Sequence, residues 1–201
     1  MITYYLIRHG IKEDVPFDPP LTEKGKKLAE LTSDYLKKIN FKAMFASHKL
    51  RAQQTAEIIA KPHKLSIITD KRIQERMEWE LGKTFEQFMT EWGKTDLDRT
   101  YVPEIGDSSV NKGKIMRRVI EEIEYKFENG NIAIVTHGGA IGDLLRNLFP
   151  DHKFVYRIGK DSKGPYLDIS ECSLTVISKE DGKYNLVKYA DTKHLIDYVP
   201  S

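Results

Sequence analysis

The feature that most restricts the fold is an alternation of short, unbroken apolar runs with stretches of helical periodicity. YYLI (4–7), KAMFAS (42–47), LSIIT (65–69) and NIAIVT (131–136) are apolar almost throughout, as strands covered on both faces are. Between them lie EKGKKLAELTSDYLKKI behind Thr22, KLRAQQTAEIIAKP up to Pro62, a short FEQFMTEW (85–92), a long stretch capped by Ser108 or Ser109, and GAIGDLLRNLF ending at Pro150. Thr and Ser suit helix N-caps, and proline forces a helix to end. The spacing turns Leu28, Leu31, Tyr35, Leu36 and Ile39 toward a core, then Leu50, Ala52, Ala56 and Ile59, then Val110, Ile115, Val119, Ile120, Ile123 and Phe127. Asn129-Gly130 is expected to close the long helix as a left-handed cap. The final alternating runs flank Asp181-Gly182, a strong hairpin signal.

This order predicts an α/β fold: a three-layer sandwich with a mostly parallel central sheet, helices on both faces and an antiparallel edge hairpin. Its 201 residues carry no repeat, low-complexity tract or linker, so one domain over 1–201 is expected. Residues 151–170, rich in Lys, Gly and Tyr, read as a long surface excursion over the site.

Charge narrows the function classes. Basic residues number 32 against 30 acidic ones, for a net charge of +2, and they are interspersed. That argues against sequence-independent binding to nucleic acid. The apolar start, TYYLI, is broken at once by Arg8, too soon for a signal peptide or a membrane span. No membrane partner and a cytoplasmic location are the expectations. Cys172 is the sole cysteine, so no internal disulfide can form; its setting ECSLTVIS places it at a strand start as a small buried apolar residue.

Chemistry is expected where ligands bind α/β sheets, beyond the carboxyl ends of the strands. LIRHG, FASHKLR and VTHGG all end there in polar residues, and His9 and His137 each stand between an apolar strand and glycine. Glycine lets backbone amides approach an anion. Arg51 falls in the first turn of a helix, where a cation is disfavoured by ~0.3–1 kcal/mol and a bound anion would remove the conflict. Arg8, Arg51, His9 and His137 together describe a phosphate site with a nucleophile candidate inside it. Taken singly, each has a plainer reading: a histidine satisfied by a loop, an arginine in solvent. Metal binding is a weaker alternative, because no HExxH, CxxC or close His pair occurs and two arginines repel a cation.

RHG after the first strand, PLTEKG, SHKLRAQQTA, QER and VTHGGAI, in this order, resemble the histidine phosphatase superfamily, which includes the cofactor-dependent phosphoglycerate mutases. The resemblance covers nearly the whole chain. ERMEWELGKTFEQFMTEW with YVPEIGDSS looks most like the smaller phosphatase-type members. The resemblance implies a phosphomonoesterase with no cofactor and no metal. It makes His9 the nucleophile that becomes a phosphohistidine, with Arg8, Arg51 and His137 on the phosphoryl oxygens and Glu75 as proton donor to the leaving oxygen. It also puts Gly10 and Gly138 in the pocket lining. His9 must be neutral to attack, which nearby cations favour; Glu75 must give and then take a proton. Glu78 and Glu80 are the competing carboxylates.

The implied partner is a small phosphorylated metabolite, with a phosphoprotein as an alternative substrate. The competing functions are phosphoglycerate mutase-type transfer and non-catalytic phosphate binding. One departure stands out: IKEDVPFD follows RHG where many members carry Thr or Ser and then Asn. Lys12 is either a substitute cation or a surface lysine, and Arg76 either faces substrate or anchors its loop.

Overall fold

A computed structural model describes residues 1–150, 154, 156–158 and 165–196. Six strands form one sheet: β1 (Ile2–Arg8), β2 (Phe41–Ala46), β3 (Ile67–Thr69), β4 (Gly130–Thr136), β7 (Leu174–Glu180) and β8 (Lys183–Asp191). Their order is β3-β2-β4-β1-β7-β8. The first four are mutually parallel, while β7 runs antiparallel to both β1 and β8. A separate antiparallel pair joins β5 (Tyr156–Ile158) to β6 (Pro165–Leu167). The α/β architecture and its edge hairpin are as the sequence predicts. Asp181 and Gly182 turn that hairpin with φ of 48° and 77°, the left-handed pair that a two-residue turn between twisted strands requires.

The helices α1 (Glu23–Leu36) and α2 (Leu50–Ala60) pack on one face, α4 (Ser109–Phe127) and α5 (Gly138–Leu148) on the other. Alternation along β1 divides the core. Ile2, Tyr4 and Leu6 join Met116, Ile120, Ile141 and Leu144, whereas Ile7 joins Leu36, Ala52, Ala56 and Ile59. A further helix, α3 (Phe85–Leu97), opens with a reciprocal capping box between Thr84 and Gln87. Among the described residues no helix is long and apolar enough to cross a membrane.

Several sequence expectations are corrected in detail. In α1, Tyr35 is 47% exposed, because the buried face is built on Leu28, Ala29, Thr32, Ser33 and Leu36. Ser33 donates to the Ile58 carbonyl, so small polar residues, not large apolar ones, set the distance between α1 and α2. Leu50 is 40% exposed at the start of α2. In α4 the buried face carries Lys112 and Gly113 beside Met116, while Val110 and Ile115 are only half-buried. A Cβ on Gly113 would lie 2.5 Å from the Asp143 carbonyl oxygen, so glycine is what lets α4 touch α5. The positive-φ residue closing α4 is Glu128 (φ 55°, ψ −42°), not Asn129, and Gly130 takes φ 100° as the first residue of β4. Cys172 lies before β7 rather than in it and is buried, as expected. Half of the anticipated excursion over 151–170 lies outside the described residues; β6 and the segment after it reach the cavity described below.

The close approach of Gly10 to Gly25 fixes where β1 ends. A Cβ on Gly25 would stand 2.1 Å from the Ile11 carbonyl oxygen, and one on Gly10 would stand 2.6 Å from that of Gly25. Gly25→Ala is therefore expected to separate the β1 terminus from α1 at a cost of about 1–3 kcal/mol. A thermal melt reads the effect, and an unchanged Tm would contradict this packing.

Candidate functional site

The order β2-β4-β1 sets three strand ends side by side. The His9 amide donates to the Thr136 carbonyl at 2.9 Å and the Ser47 amide to that of Val135 at 3.0 Å, extending the ladder one residue past the strands. Ser47, His137 and His9 consequently stand in a row at the carboxyl edge. Of the three, His9 fronts a cavity of about 300 Å3 that Arg8, Arg51 and Glu75 also line.

Both imidazoles are buried, with ring centres 5.1 Å apart. His9 Nδ1 lies 2.7 Å from the Gly10 carbonyl oxygen, an acceptor only, so that nitrogen carries the proton. Its Nε2 then accepts from Arg51 Nε at 3.1 Å, which leaves the lone pair on Nε2 facing the guanidinium. His137 sits behind Arg51, with Nδ1 3.2 Å from Arg51 Nη2 and Nε2 2.9 Å from the Ser47 hydroxyl. Burial, followed by Arg51, pushes both imidazoles well below their ordinary pKa near 6.5, and Arg8 pushes the same way on each.

Arg51 is 4% exposed and is the second residue of α2, whose N-cap Lys49 supplies no side-chain cap. Asp18 substitutes for that cap, accepting from the Leu50 amide at 2.9 Å, and its carboxylate lies 3.8 Å from Arg51 Nη1. Arg51 Nη2 also donates to Glu78 Oε1 at 3.1 Å. The misplaced cation inferred from the sequence is thus partly answered by two acids from other loops. Arg51 Nη1 and Arg8 Nε are buried with no hydrogen-bond partner among the described residues. Arg8 spends its remaining donors on the Ile169 carbonyl and on Glu171, each at 2.5 Å.

Glu75 accepts from the Gly139 amide at 2.9 Å, beside the N-terminus of α5, and from the Arg76 amide at 3.0 Å. A Cβ on Gly139 would meet Glu75 Oε1 at 2.4 Å, so only glycine admits the carboxylate there. Arg76 anchors its loop: it donates to Asp143 at 3.0 and 3.1 Å, to Asp96 and to Thr95, and stacks 4.0 Å over Trp92. Lys12 lines the cavity half-buried, its ammonium pKa lowered first by burial and then by Arg51. Gly10 packs behind His9, donating its amide to Thr55, and Gly138 lies against the Arg8 side chain. Glu80 turns away toward Lys83 and lines a separate small cavity. Burial raises the Cys172 thiol to about 12, which removes it as a nucleophile.

The structure therefore gathers Arg8, His9, Arg51, Glu75 and His137 at one end of the cavity. Sequence reasoning missed Ser47, Asp18, Asp143 and Glu171, whose roles arise from contacts distant along the chain. The Ser47 hydroxyl had a local signal, since it directly follows β2.

The sequence matches the profile of the histidine phosphatase superfamily (branch 1) over residues 4–192. A probable phosphoglycerate mutase GpmB of Proteus mirabilis is 30% identical over 162 residues, covering 74% of this chain and 75% of that protein. Among solved structures, Bacillus stearothermophilus YhfR superposes with a TM-score of 0.77 at 25% identity, covering 97% of this chain and 100% of that one. An Entamoeba histolytica phosphoserine phosphatase bound to phosphoserine superposes at 0.75 with 22% identity, covering 98% and 100%.

The buried neutral imidazoles fix a pH dependence. In the unfolded chain His9 and His137 take up protons as pH falls through about 6.5, whereas the folded chain resists uptake. Their contribution to stability is therefore full above that value and declines below it, by up to about 1.4 kcal/mol per pH unit for each group. Melts between pH 7.5 and 5 should show Tm falling, with a shallower fall in His137→Asn. An identical slope in both proteins would contradict the burial of a neutral His137.

Proposed function

The chain belongs to the histidine phosphatase superfamily, and on that premise we propose that it is a single-domain, metal-independent phosphomonoesterase. The observation that carries this reading is the pairing of His9 Nδ1 with the Gly10 carbonyl while Nε2 faces Arg51. It presents a neutral nucleophile, correctly tautomerised, against a fixed cation.

The Nε2 lone pair attacks phosphorus as the ester P–O bond breaks in line, and the leaving oxygen takes its proton from Glu75. Arg51 passes its donors from His9 and Glu78 to the phosphoryl oxygens, joined by Arg8 Nε and Arg51 Nη1. Water then gives a proton to Glu75 and attacks phosphorus; the P–N bond breaks and its electron pair returns to Nε2. Positioning and charge stabilisation are the main demands of phosphoryl transfer, and two guanidinium groups supply the positive charge. His137 contributes from behind Arg51, holding the guanidinium against the reacting group. A cavity of about 300 Å3 suits a small phosphorylated metabolite.

Glu75 is preferred over Glu78 because Glu78 is committed to Arg51 and pairs with Lys49 at 3.8 Å, whereas Glu75 is held by backbone amides at the cavity edge. Glu75→Gln is expected to lower kcat on an alkyl phosphate by about 10²–10⁴-fold, and Glu78→Gln by less than about tenfold. The reverse order would move the proton-donor role to Glu78.

Mutase-type transfer is the second reading, favoured by the names of the curated relatives. With 3-phosphoglycerate and bisphosphoglycerate present, phosphate release is expected to outrun isomer formation. Faster isomer formation would make the chain a mutase.

A further inference from the structure

Resting on the phosphomonoesterase reading, we propose that the substrate is the phosphate ester of an apolar, aromatic alcohol rather than of a carboxylated one such as phosphoglycerate or phosphoserine. Glu75, the proton donor to the leaving oxygen, marks the end of the cavity where that alcohol lies. There the wall is aromatic. The Gly139 Cβ position lies 2.4 Å from Glu75 Oε1 and 2.8 Å from the Trp92 ring, so the leaving oxygen and this indole are neighbours. From Trp92 the rings continue to Phe88 at 5.9 Å, Phe85 at 6.1 Å and Trp79 at 5.3 Å between successive centres. Met77, Met89, Leu167 and Ile169 also line the cavity. Half-exposed Phe85 keeps the far end of this row open to solvent.

The charges on that wall cancel. Arg76 is saturated by Asp143, Asp96 and Thr95. Burial raises the pKa of the Asp96 carboxyl, and Arg76 and then Arg146 act against that rise. Lys12 belongs to the phosphate end, where burial and then Arg51 disfavour its charge. Among the described lining residues carboxylates and basic side chains nearly balance, so no net positive field draws a further carboxylate to the leaving-group end. Flat rings buried against Trp92 and Phe88 gain contact area, and edge-to-face stacking adds to it.

The test is steady-state kcat/KM of the full chain for 1-naphthyl phosphate, glycerol phosphate, phosphoserine and 3-phosphoglycerate, with His9→Ala as the control. Naphthyl phosphate is expected to exceed each carboxylated ester by about tenfold or more. In Phe88→Ala, and separately in Phe85→Ala, the loss on naphthyl phosphate should exceed the loss on glycerol phosphate severalfold and appear mainly in KM. Equal losses on both esters, or faster release from phosphoserine or 3-phosphoglycerate, would overturn the aromatic assignment while leaving the phosphatase standing. Absence of His9-dependent phosphate release from all four would instead overturn the phosphomonoesterase reading.

Discussion

The buried guanidinium of Arg51 is the charge that the rest of the site must satisfy. Taking such a group out of water is costly unless partners surround it. Here they come from four places: His9 from the end of β1, His137 from the end of β4, Asp18 from the loop after RHG and Glu78 from the loop before α3. Burial first, and then the same charge, keeps both imidazoles neutral, which a nucleophilic His9 requires. Stability and reactivity are thus coupled through one side chain: what holds these loops together also prepares the lone pair on Nε2.

A second buried ion cluster positions Glu75, the proposed proton donor. Arg76, locked by Asp143 on α5 and Asp96 on α3, fixes the backbone that carries its neighbour Glu75. The Ser109 hydroxyl donates to Asp143 at 2.6 Å and ties in α4 as well. Breaking a buried pair by removing one partner strands the other charge, so the loop has little freedom to drift from α5. The contact of Arg76 with Trp92 joins this anchor to the aromatic wall, linking the proposed proton donor to the rings proposed to face the alcohol.

Much of this was legible in the sequence because strand ends in parallel sheets are predictable places. Arg8, His9 and His137 follow continuous apolar runs, and Arg51 sits in a helix start that a cation does not favour; those local facts suffice to bring them together. The sheet itself followed from the same runs. What escaped were contacts that only the tertiary fold creates. Asp18 reads locally as a loop acid and Glu171 as a surface one, yet they reach Arg51 and Arg8. The buried faces of α1 and α4 were misjudged where Ser33, Thr32, Lys112 and Gly113 pack inward, since apolar periodicity does not register small or polar residues that make close helix contacts. The departure after RHG also gained a meaning: IKED carries Lys12 into the cavity, and the following VPFD supplies the Asp18 cap.

The central claim is that Nε2 of His9 forms a covalent bond to phosphorus. Rapid acid-free quenching of the protein during turnover of a labelled phosphate ester, followed by peptide mapping, tests it most directly. The account predicts a base-stable, acid-labile phosphoryl group on the peptide containing His9, absent from His9→Ala. A label on any other residue, or turnover that persists in His9→Ala, would contradict it.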